Sequence, residues 1–435
     1  APTGKAAARL SESLASTLTA ITAGQVDEID AEIGARIPTT VTTLHRLLGA
    51  RSDTRRFVHN AVNPLNLDVL VVDEASMVDL EMMANLLAAV PVHARLILLG
   101  DKDQLASVEA GAVLGDLCDQ AEKGHYQADT EGFIFRTTGY SVRPYIGAGH
   151  GLEQQTVMLR KSHRFGEKSG IGQLARAINR GDVDEARAVL LNSHGDVAYL
   201  KNSDTEFKAL VLDGQVAQLQ PLNGQQPHGY RHYLSIVQQG ASAFASETEW
   251  QRAVLDAFAQ FQVLAALREG EWGVQGLNKR IAHLLYQQRL ISQEQGWYAG
   301  RPVMVQRNDY SLDLMNGDIG ICLPVQDPHQ TQSLRVIFPM ADGTLKAVQP
   351  SRLEEVETVF VMTVHKSQGS EFAHTALVLP ESGSPVLTRE LIYTGVTRAK
   401  LWFSLLINQP AVVREAIKKR TIRASGLKQR LYALK

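Results

Sequence analysis

Short apolar runs and amphipathic stretches alternate along this chain in a way that already outlines a sheet. Leu67-Asp68-Val69-Leu70-Val71-Val72 runs directly into Asp73-Glu74, the pattern of a central parallel strand with acids at its C-terminal tip. Leu80 to Val90 has helical spacing and stops at Pro91, and Arg95-Leu96-Ile97-Leu98-Leu99 is a second buried strand ending at Gly100-Asp101. Two strand–helix units in succession predict a doubly wound α/β sheet, whose ligands sit beyond the carboxyl ends of the strands. Lys5 to Leu18 and Thr43 to Leu48 also carry helical patterns.

Further along, Gly124 to Gly151 is rich in Gly, Thr and Tyr without periodicity and reads as a loop or insertion. Ile171 to Ala188 and Tyr230 to Gln260 read as helical, Asn192 to Gly229 is weakly patterned, and Phe261 to Leu267 reads as a strand opening a second α/β core. Between Arg301 and Arg352 the texture changes to short β-rich runs, with turns at Asn316-Gly317-Asp318 and Asp342-Gly343. That is the pattern of a small antiparallel barrel inserted into the second core. Thr375 to Leu379 and Trp402 to Ile407 return to the sheet.

Composition narrows the picture only a little. A chain of 435 residues is too long for one compact core. Its 44% hydrophobic and 21% charged content is ordinary for a globular protein. No apolar run has the length of a membrane span, so a membrane partner is not expected, and the N-terminus has no apolar signal region. The first residue is alanine, which hints at a fragment. Cys118 and Cys322 lie far apart and suit a reduced cytoplasm better than a disulfide framework. A formal net charge of −2 neither suggests nor excludes nucleic acid, because a DNA channel can confine its basic residues.

Chemistry concentrates at a few segments. An acid pair at the tip of a buried strand, Asp73-Glu74, is what a nucleotide hydrolase needs: the first carboxylate holds Mg²⁺, usually through water, and the second orients or deprotonates the attacking water. Taken alone the pair reads equally as an acidic strand end in solvent. Gly100-Asp101-Lys102-Asp103-Gln104-Leu105 follows the next strand and brings an amide, Gln104, to the same end, where it can sense a γ-phosphate; alone it is a polar turn. Arg164 and Arg398 both lie in short punctuated segments rather than on obvious helical faces, and a guanidinium at a γ-phosphate stabilises transition-state charge. Thr363-Val364-His365-Lys366-Ser367-Gln368-Gly369-Ser370-Glu371-Phe372 mixes hydroxyls, imidazole, ammonium, amide and carboxylate before a strand. Its first half suits contacts to a single strand of DNA, and Gln368 and Glu371 suit a nucleotide cleft.

The ordered series Ala1 to Leu10, Thr43 to Gly49, Asp73 to Ser76, Gly100 to Leu105, Ser162 to Phe165, Val364 to Phe372 and Tyr393 to Ala399 resembles superfamily 1 helicase motifs Ia through VI. The wording between motifs, including Leu67 to Val72 and Gln104 to Asp116, is similar to the RecD family, the α subunits of bacterial exonuclease V (RecBCD). The resemblance spans nearly the whole chain and is weakest over Asn192 to Gly229. It implies two RecA-like parallel-sheet cores of the P-loop NTPase type and an SH3-like barrel. The expected domains are residues 1–165 for the first core, truncated, 166–300 for the first part of the second, 301–355 for the barrel and 356–435 for the remainder. It also implies an ATP-dependent motor moving 5′ to 3′ on single-stranded DNA and opening duplex ends in double-strand break repair and recombination. ATP and Mg²⁺ would be its cofactors, and RecB and RecC its partners, with nuclease activity belonging to RecB. Asp73, also the Mg²⁺ ligand through water, Glu74, Gln104, Arg164 and Arg398 take catalytic roles. Gln368, Gly369 and Glu371 take nucleotide roles, and Pro2, Thr3, Lys5, His45, Thr363, His365, Lys366 and Ser367 take DNA roles.

Pro2-Thr3-Gly4-Lys5-Ala6 is not a phosphate-binding loop. The motif G-x-x-x-x-G-K-[ST] needs an upstream glycine and a hydroxyl after the lysine, and nothing elsewhere in the sequence replaces it. The expectation is therefore a stretch beginning after that loop and hydrolysing ATP negligibly by itself. Two alternatives remain open at this point: an inert DNA-binding and assembly module, or a stand-alone RecD-like or relaxase-linked helicase.

Overall fold

A computed structural model describes the chain except for residues 23–36, 52–53, 55, 107–112, 193, 202, 327–331, 341, 422–425 and 434–435. Residues 107–112 of the RecD-like stretch after Gln104 therefore lie outside the described residues. The chain divides into two compact units: Ala1–Pro2, Thr42–Arg164 and Ile422–Lys435 in the first, and Thr3–Val41 and Phe165–Thr421 in the second.

The first unit is built on two parallel strands, β1 (Val69–Val72) and β2 (Arg95–Leu98), registered Val69 to Arg95 through Val72 to Leu98. Their apolar residues alternate between faces, as strand geometry requires. One face, with Val72 fully buried and Leu70, Leu96 and Leu98 partly so, packs on Leu44, Leu48, Met83, Leu86 and Leu114. The Leu80–Ala89 helix between the strands starts at Asp79, whose carboxylate accepts from the Met82 amide at 2.8 Å. The short Leu44–Leu48 helix is capped by Thr43 and closed by Gly49 in the left-handed conformation. The segment expected as a loop from Gly124 to Gly151 contains a helix, Ala128–Thr138, with no buried residue. Lacking a buried face it has no amphipathic period to betray it.

The second unit holds a parallel sheet in the order β10-β4-β11-β12-β3, made of Val361–Thr363, Phe261–Ala265, Phe372–Val378, Ala399–Ile407 and Val197–Lys201. Every residue of β4 is buried, and Tyr230 anchors the core by packing on Phe258, Phe261 and Phe360 and hydrogen bonding the Phe360 carbonyl. The stretch read as one helix from Ile171 to Ala188 is two, Gly170–Arg180 and Val183–Leu191, broken where Gly181 turns left-handed. Likewise Tyr230 to Gln260 is two helices, Tyr230–Gln239 and Glu247–Ala259. The weakly patterned stretch supplies edge strand β3 and the Asp204–Asp213 helix. Beside β3, buried Asp196 accepts from Ser169 Oγ at 2.7 Å and from the Gly170 and Ile171 amides at 3.0 and 3.2 Å, stabilising the start of the Gly170–Arg180 helix.

Between the paired strands β4 and β10 the chain inserts an antiparallel sheet in the order β8-β7-β6-β5-β9, from Leu345–Val348, Gln332–Pro339, Ile319–Gln326, Pro302–Val305 and Val356–Thr358. Its own core includes Val303, Leu314, Cys322, Val336 and Phe338. No helix among the described residues is long and apolar enough to cross a membrane.

Candidate functional site

In the first unit, β1 delivers Asp73 and Glu74 to a sharp turn that is followed by the Ala75–Met77 single turn of 3-10 helix. Glu74 takes a left-handed backbone with φ of 54°, an unfavourable conformation for a non-glycine residue and one found disproportionately at functional positions. The turn is fixed by the Ala75 amide donating to the Leu99 carbonyl at 2.8 Å, at the end of the neighbouring strand. Gly100 is pressed against it: a Cβ there would lie 3.0 Å from the Ala75 nitrogen and 3.1 Å from that of Ser76. The absence of a side chain at Gly100 is thus what lets the Asp73-Glu74 tip and the Asp101–Gln104 turn approach closely.

Within that second turn Asp101 organises its neighbours. Its carboxylate accepts from the Asp103 amide at 3.0 Å and from Gln104 Nε2 at 3.1 Å, so the Gln104 amide is aimed by an acid that the sequence did not single out. Lys102 pairs with Asp103 at 2.7 Å. Asp73, Glu74 and Gln104 are all part exposed. No group of three or more His, Cys, Asp or Glu able to hold a metal occurs among the described residues. The donor set nonetheless fits Mg²⁺, which binds through one or two carboxylates and completes its octahedron with water and phosphate oxygens. Pro2 lies in an extended stretch tied to Thr42 and Leu44 through Ala1. His45 is exposed on its short helix, and Arg164 is exposed at the end of this unit.

In the second unit, Thr363 ends β10 and its hydroxyl accepts from the Lys366 amide at 3.2 Å, closing the His365–Ser367 turn. Lys366 donates to Asn316 at 2.8 Å, linking this turn to the antiparallel sheet. Ser367 is 0% exposed and its hydroxyl is spent on the Val364 carbonyl at 2.7 Å, so Thr363, His365 and Lys366 are the members of this group that present polar atoms outward. Gln368 is buried, and Gly369 is left-handed at φ of 75° and faces Ala6 of the Gly4–Thr22 helix. Glu371 pairs with Arg9 of that helix and with Lys400 at 3.6 Å. Thr3 caps the helix start through the Ala6 amide at 3.3 Å.

Arg398 corrects one expectation. It does not lie in a punctuated segment but forms the C-cap of the Arg389–Thr397 helix, which the β-branched residues and glycine of Thr394-Gly395-Val396-Thr397 disguise. It is 2% exposed, with Nε donating to Thr394 O at 3.3 Å and Nη1 to Ser370 O at 3.2 Å, while its own carbonyl accepts from the Phe372 amide at 2.9 Å. These bonds lock the guanidinium to the segment carrying Gln368 and Glu371. Lys5 lies in the same neighbourhood. Its Nζ is buried without a hydrogen-bond partner, although the residue as a whole is part exposed. Burial pushes its ammonium down to about 8, opposed by Asp318 and reinforced by Arg398. Arg9, Asp101 and Lys400 were missed because each acts through a partner distant in sequence or through turn geometry.

Three segments match known families: residues 1–110 the AAA domain, residues 277–338 the SH3 domain of ATP-dependent RecD-like DNA helicases, and residues 358–406 the UvrD-like helicase C-terminal domain. With the parallel sheets and the inserted antiparallel one, they define the class as superfamily 1 helicases. The RecBCD enzyme subunit RecD of Haemophilus influenzae is 38% identical over 443 residues, covering 98% of this chain and 64% of its own length. Its counterpart from Mycolicibacterium smegmatis is 38% identical over 441 residues, covering 99% and 65%. The chain is thus similar to RecD subunits over nearly all of its own length, and it spans about 64% of the length of the first of these relatives. Among solved structures, a Pif1 helicase from Bacteroides in complex with ADP-AlF3 and ssDNA aligns at 15% identity with a TM-score of 0.43, covering 93% of this chain and 85% of its own.

Proposed function

We propose that this chain is the larger part of an ATP-driven DNA motor that moves 5′ to 3′ on single-stranded DNA and opens duplex ends, working with RecB and RecC in the cytoplasm in double-strand break repair and recombination. The observation that carries the reading is the contact made possible by Gly100, which presses a strained acid-bearing turn against the turn holding Gln104. A binding or assembly module has no use for that arrangement, whereas a hydrolase needs a carboxylate and a phosphate-sensing amide at one strand edge. In this reading Asp73 holds Mg²⁺ through water, Glu74 activates the attacking water, and Gln104 reports the γ-phosphate. Arg164 and Arg398 supply guanidinium groups for transition-state charge. Gln368, Gly369 and Glu371 serve the nucleotide. Pro2, Thr3, Lys5, His45, Thr363, His365 and Lys366 serve the DNA, with Ser367 supporting their turn from beneath. ATP, when bound with Mg²⁺, supplies the phosphoanhydride whose cleavage drives movement.

These 435 residues contain no G-x-x-x-x-G-K-[ST] sequence, so the phosphate cradle comes from outside them and the chain alone turns over ATP negligibly. Two assays test the reading. The isolated chain should bind a single-stranded oligonucleotide without DNA-stimulated ATP hydrolysis; robust turnover would refute the need for an outside loop. Joined to a phosphate-binding loop and assembled with its partners, it should open duplexes with a 5′ single-stranded tail in preference to a 3′ tail when the RecB motor is inactivated. The opposite preference would overturn the polarity.

A further inference from the structure

A cavity of about 470 Å³ opens in the second unit, on a part of the sheet for which the helicase reading has no use. His374 of β11 and Trp402 of β12 face each other in register along one wall. The opposite wall is the segment before the Tyr230–Gln239 helix and its first turn, including Gln226, His228 and His232, and Gln260 contributes from just before β4. No Asp, Glu, Lys or Arg is among the described residues that line it.

Three imidazoles set its character. His228 and His232 are stacked, with ring centroids 4.0 Å apart and planes inclined by 13°. Burial lowers the proton affinity of both, and it pushes His374 down to about 3; all three rings are therefore neutral near pH 7. His374 is 1% exposed, and one of its nitrogens engages Ser404 Oγ at 2.9 Å. Its Nδ1 is buried and makes no hydrogen bond of ordinary geometry, and the His228 backbone favours protonation of the ring against the larger effect of burial. The Trp402 N–H is already spent on the Gln220 carbonyl at 2.8 Å, which leaves the indole as a flat apolar wall.

A lining without charge excludes phosphates and other ions, whose desolvation nothing here would offset. Flat neutral rings and glutamine amides, each offering both donor and acceptor, match a flat neutral ligand with hydrogen-bonding edges. The volume lies within the usual range for small-ligand sites, roughly 300–1,000 Å³. We propose that this cavity binds an uncharged nucleobase ring, read by the buried His374 nitrogen and the glutamine amides. The site goes beyond the proposed motor activity and does not depend on it. Its position gives it a route to Arg398: Ala373 and His374 continue directly from Glu371 and Phe372, and the Phe372 amide is hydrogen bonded to the Arg398 carbonyl at 2.9 Å. An occupied cavity would stiffen the segment that locks the guanidinium.

The test is equilibrium dialysis of the 435-residue chain with labelled deoxyadenosine, deoxyguanosine, deoxycytidine and thymidine. Saturable binding of at least one is expected, weakened by about tenfold or more in Gln226→Ala and in His232→Ala, the loss of roughly one good hydrogen bond or stacking contact. Gln226 is exposed, so its variant keeps the fold and should melt with the parent. Competition identifies the source of the ring. Displacement by a single-stranded oligonucleotide but not by its abasic counterpart assigns a base of DNA, and no displacement by either assigns a free nucleoside. Absence of saturable binding for all four at millimolar concentration, or binding unchanged in both variants, would overturn the proposal.

Discussion

β1 and β4 are written in the same apolar vocabulary and end up in opposite surroundings. Val69 and Val71 of β1 are 52% and 49% exposed, as are Ile97 and Leu99 at 45% and 46% on and just after the neighbouring strand, so one face of the first unit's sheet meets solvent. All of β4, Phe261–Ala265, is buried between β10 and β11 with helices around it. An apolar run records what a strand is able to bury; which faces are covered depends on the layers around it. The polar chemistry divides in the same way. Asp73, Glu74 and Gln104 of the first unit are part exposed, whereas Arg398, Gln368 and the Glu371 carboxylate of the second are enclosed by carbonyls and ion pairs. Solvent reaches part of the first set, and the second is more fully enclosed.

The contrast can be broken most sharply through the cores. Leu264→Ala, at a site with 0% exposure, should cost about 2–5 kcal/mol in urea unfolding. A smaller effect is expected at Lys5. Its folded-state value of about 8 lies below the ordinary lysine value of 10.5, so between those limits the unfolded chain holds a proton that the folded one has lost. Stability of the second unit should therefore rise as pH goes from about 8 to about 10.5. Lys5→Met should be more stable than the parent at pH 7 and lose that slope; an unchanged slope would mean that the ammonium is hydrated. Smallest of all, Ile97→Ala on the open face should cost about 1 kcal/mol or less. A cost equal to that of Leu264→Ala would mean that the face is covered in solution and that the two sheets are alike after all.

The parts of the fold legible in the sequence were those with local punctuation. β1, the Leu80–Ala89 helix and β2 fall within a residue or two of their expected bounds, because Asp79, Pro91 and the β-branched runs mark them. Turns such as Asn316-Gly317-Asp318 disclosed the antiparallel sheet. Other elements exist only through tertiary partners. β3 is a short edge strand completed by pairing with β12, and the Arg389–Thr397 helix forms against propensity because most of its residues are buried. The site divides similarly. Motif order pointed to Asp73, Glu74, Gln104 and Arg398, but the bond from Gln104 to Asp101, the pairing of Glu371 with Arg9 and the orphaned Lys5 ammonium belong to three dimensions.

The central claim is that the strained turn after β1 is a hydrolytic one. Its most direct test is steady-state ATP turnover and oligonucleotide affinity of Glu74→Gln, measured side by side with the parent in an assembly that joins this chain to a phosphate-binding loop. Loss of a general base predicts a fall in turnover of about 10²-fold or more, with DNA affinity unchanged. Turnover equal to the parent's would contradict the account and return Asp73-Glu74 to an acidic strand end in solvent.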